Sequence, residues 1–225
     1  MSVLEAKQEG RQFVSLKLAS ELENSMFSFR PGQYVKISCP ATKREGIFAI
    51  ASEPEEKRFV EFLVKNEPEE LSRDLSQAKT GDHLRVSFPM GKGYPLERLH
   101  GKNVLLIGMG SGLSPLRSVL KSILRCEHRF GEVALVYGVQ TPKDIPYEND
   151  FDFWSKKIKV QLALSKAGQT EQSGFSGRVT ELLPKLKLEP EKTIACVCGN
   201  QAMEKEVKEI LRHAGFKGEN ILINY

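Results

Sequence analysis

An apolar run, Val104–Ile107, ends in three glycines separated by single residues, Gly108, Gly110 and Gly112, and continues as Leu113-Ser114-Pro115-Leu116-Arg117-Ser118. Four apolar residues in a row suit a strand covered on both faces, the environment of a parallel sheet. Pro115 suits a first helical turn, where its missing N–H costs nothing. The stretch therefore predicts a strand, a tight turn and a helix. Glycines let the backbone of such a turn approach a phosphate, and the amides opening the helix point at it. The spacing departs from G-x-G-x-x-G, so the common dinucleotide fingerprint is absent. A purely structural tight turn is the competing reading.

The rest of the second half repeats the pattern. Asn103–Ile107, Glu132–Tyr137, Lys159–Leu164, Thr193–Val197 and Asn220–Ile223 read as strands. Helices are expected over Ser114–Arg125, Tyr147–Lys156, Arg178–Leu186 and Gln201–Ala214, with Gly215 as a stop. Five strands alternating with four helices predict an α/β doubly wound parallel sheet. The first half has another rhythm. Gln12–Lys17, Gln33–Ser38, Arg58–Lys65 and His83–Phe88 alternate with period two, between turn signals at Arg30-Pro31-Gly32, Ser52-Glu53-Pro54 and Thr80-Gly81-Asp82. That predicts an antiparallel sheet or small barrel, with one helix over Glu69–Ala78. Residues 1–98 are expected to form the barrel domain and 99–225 the α/β domain, with the linker in Tyr94–Lys102. The charge run Glu53–Lys57 reads as a solvated hairpin tip.

Thirty-three basic against 29 acidic residues leave a net charge of +4 spread along the chain, which does not suit a nucleic-acid binder. The apolar runs are strand-sized, so no membrane span is expected, and the first residues lack the apolar core of a signal peptide. The four cysteines, Cys39, Cys126, Cys196 and Cys198, include no C-x2-C spacing. A metal or iron–sulfur site held by the chain alone is not expected. The Cys196-Val197-Cys198 run reads as reduced thiols in a buried strand, in a reducing, cytoplasmic compartment. The following Gly199-Asn200-Gln201-Ala202-Met203 again places a small-residue turn at the carboxyl edge of the sheet. Cys198 there is either a small buried residue or a group beside a bound nicotinamide.

Taken together, Gly108–Ser118, Cys198-Gly199-x-x-x-Met203, Arg30-Pro31-Gly32-Gln33-Tyr34, Gly81-Asp82 and Pro89-Met90-Gly91-Lys92-Gly93-Tyr94 resemble, in order, the motifs of the ferredoxin–NADP reductase superfamily. The last of these looks like the superfamily's Pro-x-Gly-x-Phe stretch. Phe48–Ser52 and the final Ile223-Asn224-Tyr225 are similar to a branch that includes plant plastid FAD/NAD(P)-binding oxidoreductases. The resemblance implies a flavin-binding β-barrel followed by a nucleotide domain. It also implies FAD and NAD(P)H as cofactors, and a hydride passing between nicotinamide and flavin.

The resemblance implies site residues too. On the flavin side they are Phe48, Ala49, Ile50, Ala51, Ser52, Leu63, Val64, Lys65 and Ser72, with Tyr225 over the flavin face. On the nucleotide side they are Gly108, Gly110, Ser111, Gly112, Ser114, Pro115, Cys198, Gly199 and Met203. Ser165 and Lys166 would lie near the ribose 2′ position. Cys198, Phe48 and Tyr225 would border the reacting atoms. The family's Arg-x-Tyr-Ser/Thr flavin signature here reads Gly46-Ile47-Phe48-Ala49, without the arginine or the hydroxyl. Lys43 or Arg44 is the available replacement cation. Glu69 stands where a glycine opens the second flavin element. The flavin would discharge to a separate partner or a small-molecule acceptor, and a mildly basic surface suits an acidic ferredoxin- or flavodoxin-like carrier. The rival readings are a flavin-poor nucleotide-binding module and an electron-transfer subunit of a larger reductase.

Overall fold

A computed structural model describes residues 1–19, 27–66, 70–166 and 174–224. The first half contains β1 (Ser2–Glu9), β2 (Phe13–Ala19), β3 (Tyr34–Cys39), β4 (Arg44–Ala49), β5 (Val60–Lys65), α1 (Glu70–Ser76) and β6 (Arg85–Val86). These strands make two antiparallel three-stranded sheets, ordered β1-β2-β5 and β4-β3-β6. Bridges at Ser2–His83 and Ile50–Phe62 join the sheets into a barrel. Its interior is apolar, with Leu16, Leu18, Val35, Ile37, Ile50, Phe62 and Val64 buried, and Leu75 of α1 closes one end.

Two differences from the alternation reading have simple causes. β1 shows no apolar alternation because only Val3 and Glu9 of its eight residues are buried; backbone pairing, chiefly with β2, makes it a strand. The expected strand over His83–Phe88 is reduced to Arg85–Val86, paired with Ile37 and Ser38.

A short helix, α2 (Leu96–Leu99), lies in the linker and spans the expected division after residue 98. The second half follows as β7 (Asn103–Met109), α3 (Leu113–Arg125), β8 (Val133–Val139), α4 (Glu148–Trp154), β9 (Lys159–Leu164), β10 (Phe175–Ser176), α5 (Val179–Leu182), β11 (Thr193–Cys198), α6 (Gln201–His213) and β12 (Ile221–Ile223). All five expected strands are present, in a parallel sheet ordered β10-β9-β8-β7-β11-β12. The sheet has six strands rather than five. β10 is two residues long, too short to carry a period, and forms only by pairing with Ala163 and Leu164.

The core on the α3 face of the sheet continues into the barrel. Leu106, Leu116, Val119 and Tyr137 share a cluster with Phe13, Leu63 and Tyr94. Polar clamps cross the same seam. Arg117 of α3 donates to the Ala51 carbonyl and to Glu61, both at 2.9 Å, and to Asp150 at 2.6 Å. Its guanidinium lies 3.9 Å from the centre of the Tyr147 ring. Glu9 accepts from the Tyr147 amide at 2.8 Å. Glu53 is 7% exposed and makes a two-pronged pair with Arg125, at 2.8 and 2.9 Å. The solvated hairpin tip is thus corrected at its first residue, which is drawn into the seam by a cation 72 positions away. No helix among the described residues is long and apolar enough to cross a membrane.

Candidate nucleotide and flavin site

β7 lies between β8 and β11, the place where strand order reverses and where a crevice opens at the carboxyl edge. Met109 pairs with Gly138, and Gly108 with Cys198, so three strand ends converge there. The chain then makes one 3-10 turn, Gly110–Gly112, before α3 begins at Leu113. The three glycines do different work. A Cβ at Gly108 would stand 2.6 Å from Leu116. One at Gly112 would collide with the Cys198 carbonyl, so this glycine lets α3 sit against β11. Gly110, at φ +56°, has nothing within 4 Å of where a Cβ would be, and Tyr137 donates to its carbonyl at 2.8 Å. Gly110 is the open one, with backbone available to a ligand.

A cleft of about 450 Å³ lies at this edge, lined by Gly110, Gly138, Ser165, Arg178 and Met203, and from the barrel by Lys65. Ser111 and Lys166 are exposed, whereas Ser114 and Pro115 are buried and serve the helix start. After β8 the chain presents Gln140, and the next carboxylate is Asp144. That carboxylate accepts from the Thr141 amide at 3.0 Å and hydroxyl at 2.6 Å and pairs with Arg11 at 3.3 Å. Its acceptor capacity is therefore engaged.

At the end of β11, Cys196 is fully buried and Cys198 is half-buried; both are free thiols. Burial pushes the Cys198 thiol up to about 12, with Glu204 acting in the same direction and a hydrogen bond with Asn224 opposing it. Cys198 is thus a neutral thiol near pH 7 and no nucleophile. The turn after it is fastened twice. Glu204 accepts from the Gly199 amide at 3.0 Å, and Asn200 caps α6 by accepting from the Met203 amide at 2.8 Å. A side chain at Gly199 would collide with Met203, so this glycine and Met203 form one packed unit.

On the barrel, Arg44, Gly46 and Phe48 share one face of β4, since alternate residues of a strand point the same way. With Leu71 and Ser72 of α1 they line an open cleft of about 740 Å³. Arg44 donates to Asp74 of α1 at 3.3 Å. It stands two positions before Gly46 on the same face of β4. A Cβ at Gly46 would lie 2.6 Å from Leu71 and 3.3 Å from the Phe48 ring, so the missing arginine corresponds to a filled space. The cleft, its cation, the Ser72 hydroxyl and the half-buried Phe48 ring fit a flavin nucleotide.

Ala49 is half-buried, and Ile50, Ala51 and Ser52 expose no side chain. The Ser52 hydroxyl accepts from the Glu61 amide at 3.1 Å. Leu63 and Val64 are likewise buried, which leaves Lys65 as the exposed member of that run. Tyr225 and Glu69 lie outside the described residues. Sequence reasoning gave no role to Arg117, Glu204 or the Tyr94 hydroxyl.

Comparison with known proteins finds a match for each half of the chain. The family model of the oxidoreductase FAD-binding domain matches residues 1–94, and that of the oxidoreductase NAD-binding domain matches residues 106–209. The sulfhydrogenase 1 subunit gamma of Pyrococcus furiosus is 26% identical over 200 residues, covering 88% of this chain and 68% of that protein. The ferredoxin–NADP reductase of Azotobacter vinelandii is 27% identical over 213 residues, covering 86% of this chain and 82% of that protein. A crystal structure of a ferredoxin–NADP reductase from Neisseria gonorrhoeae with bound FAD and NADP superposes with a TM-score of 0.86. It shares 20% identity and covers 99% of this chain and 96% of that one.

Proposed function

The chain belongs to the ferredoxin–NADP reductase superfamily of FAD- and NAD-binding oxidoreductases, and from that premise we propose that it takes hydride from NADPH onto FAD and passes the electrons to a separate, acidic one-electron carrier. The observation that carries this reading is the meeting of the two halves at one cleft. Lys65 of the barrel and Gly110 of the glycine turn line the same space, beside the Cys198 edge. The cofactors supply the redox chemistry, hydride leaving nicotinamide C4 for flavin N5.

The protein's part is placement. Gly110 opens the backbone to the nucleotide phosphates, and the start of α3 favours their charge. Cys198 is a small neutral group against which a nicotinamide packs without reacting. Phe48 offers an aromatic face to the flavin, and Arg44 faces its pyrophosphate. Two features support NADPH over NADH. The carboxylate after β8 is engaged by Thr141 and Arg11, leaving Gln140 rather than a free acid for a ribose diol. The exposed Lys166 and the cleft-lining Arg178 offer cations to a 2′-phosphate. The relatives named as ferredoxin–NADP reductases support a carrier as the acceptor.

The test is the absorbance spectrum before and after each nucleotide. A yellow protein bleached faster by NADPH than by NADH is expected. Lys166→Ala and Arg178→Ala should each cut the NADPH preference severalfold, as the loss of an exposed ion pair worth up to about 1 kcal/mol would. A protein that stays colourless with excess FAD sinks the reading and favours a flavin-poor nucleotide-binding module.

A further inference from the structure

Resting on that nucleotide-to-flavin reading, we infer that the Tyr94 hydroxyl is a positioning group for hydride transfer, tying the Pro31–Tyr34 turn of the barrel to the strand end that carries Cys198. Tyr94 is 1% exposed and donates to the Val197 carbonyl at 2.8 Å, a bond between residues 103 positions apart. Val197 is the residue before Cys198 and pairs with both β7 and β12, so its carbonyl is fixed between two neighbouring strands.

The other end of the link is equally defined. The Tyr94 amide donates to the Pro31 carbonyl at 2.7 Å. Gly32, at φ +88°, leaves no room for a side chain, because a Cβ there would stand 2.6 Å from the Tyr94 ring. Gln33 completes the seat: its side chain donates to the Gly91 carbonyl at 2.8 Å and accepts from the Arg30 amide at 2.8 Å. The Gln33 carbonyl accepts from the Ile50 amide at 3.0 Å, directly after Phe48 and Ala49 on the flavin strand. One turn therefore holds the flavin strand by its backbone and, through Tyr94, the nicotinamide edge.

Packing needs only the ring, which phenylalanine would supply. The hydroxyl adds a directional bond across the seam, and a donor–acceptor distance tolerates far less slip than an apolar contact does. Misplacing a reacting carbon by about 1 Å can cost on the order of 100-fold in rate. A partial loosening of the link should thus be visible in the transfer step alone.

The experiment compares wild type with Tyr94→Phe, each loaded with FAD. Flavin content and the NADPH dissociation constant should agree within about twofold, and the melting temperatures should lie close. The single-turnover rate of flavin reduction should fall about tenfold, with a weaker charge-transfer absorbance between nicotinamide and flavin. In the absence of nucleotide, amide exchange across residues 196–200 should rise in the variant. A reduction rate within twofold of wild type overturns the inference. So does a rate loss matched by an equal loss of flavin or of nucleotide affinity, which marks a merely structural bond. A wild type that neither nucleotide reduces overturns the functional reading itself, and this inference with it.

Discussion

At the residue scale, the glycine turn contains two opposite requirements. Gly112 has ordinary helical backbone, and its lack of a side chain is needed because α3 touches the Cys198 carbonyl. Gly110 has open space around it but left-handed backbone. Gly112→Ala should therefore lower the melting temperature and slow flavin reduction by displacing Cys198. Gly110→Ala should cost only about 1–2 kcal/mol of backbone strain while raising the Michaelis constant for nucleotide severalfold. Thermal melts beside steady-state kinetics separate the two, and equal behaviour of the variants would show that the turn is only a packing device. The same logic applies to Gly46. An arginine introduced there must displace Leu71, so Arg44 is the better residue to alter when probing flavin affinity.

At the element scale, α3 is held to the barrel by Arg117, which sits between Glu61 at 3% exposure and Asp150. Arg117→Ala should cost about 3–5 kcal/mol, because it leaves the Glu61 carboxylate buried without its cation. Arg117→Leu combined with Glu61→Leu should recover much of that, and urea melts of the single and double variants decide it. The start of α6 carries a pH effect of predictable sign. Burial raises the Glu204 pKa above its unfolded value, against the opposing bond from the Gly199 amide. The folded state then holds this proton more tightly than the unfolded chain does. The stabilisation is complete at pH values below the ordinary carboxylate range and is lost as pH rises through the raised value. Glu204→Gln should flatten that part of the stability–pH curve, read as the difference from wild type.

At the scale of the whole molecule, the two halves share one apolar cluster and polar clamps that include those at Glu9, Arg11, Tyr94, Arg117 and Arg125. Arg125 is largely exposed, so its pair with Glu53 adds little alone. The buried members make the seam continuous with the core. Calorimetry should show one cooperative transition with equal calorimetric and van't Hoff enthalpies. Two resolved transitions would mean that the barrel and the α/β sheet unfold independently, and that the seam is a docking contact rather than part of the core.

The amino-acid sequence by itself determined the two rhythms, and with them the barrel followed by the parallel sheet. Period and turn chemistry are local properties, readable wherever a strand is long enough to show them. It also placed the glycine turn and the Cys198 edge at strand ends, because those motifs lie within a few residues of their strands. Tertiary structure alone decided what depends on partners distant in the chain. β1 and β10 exist through backbone pairing that leaves no periodic trace. Glu53 and Arg117 look like surface charges until their partners 72 and 56–66 positions away are brought to them. The three glycines look alike in sequence, yet packing against Leu116 and Cys198 leaves only Gly110 open to a ligand. The Tyr94 hydroxyl has the same origin, since a hydrogen bond across 103 residues is set by how the two domains meet and not by any pattern along the chain.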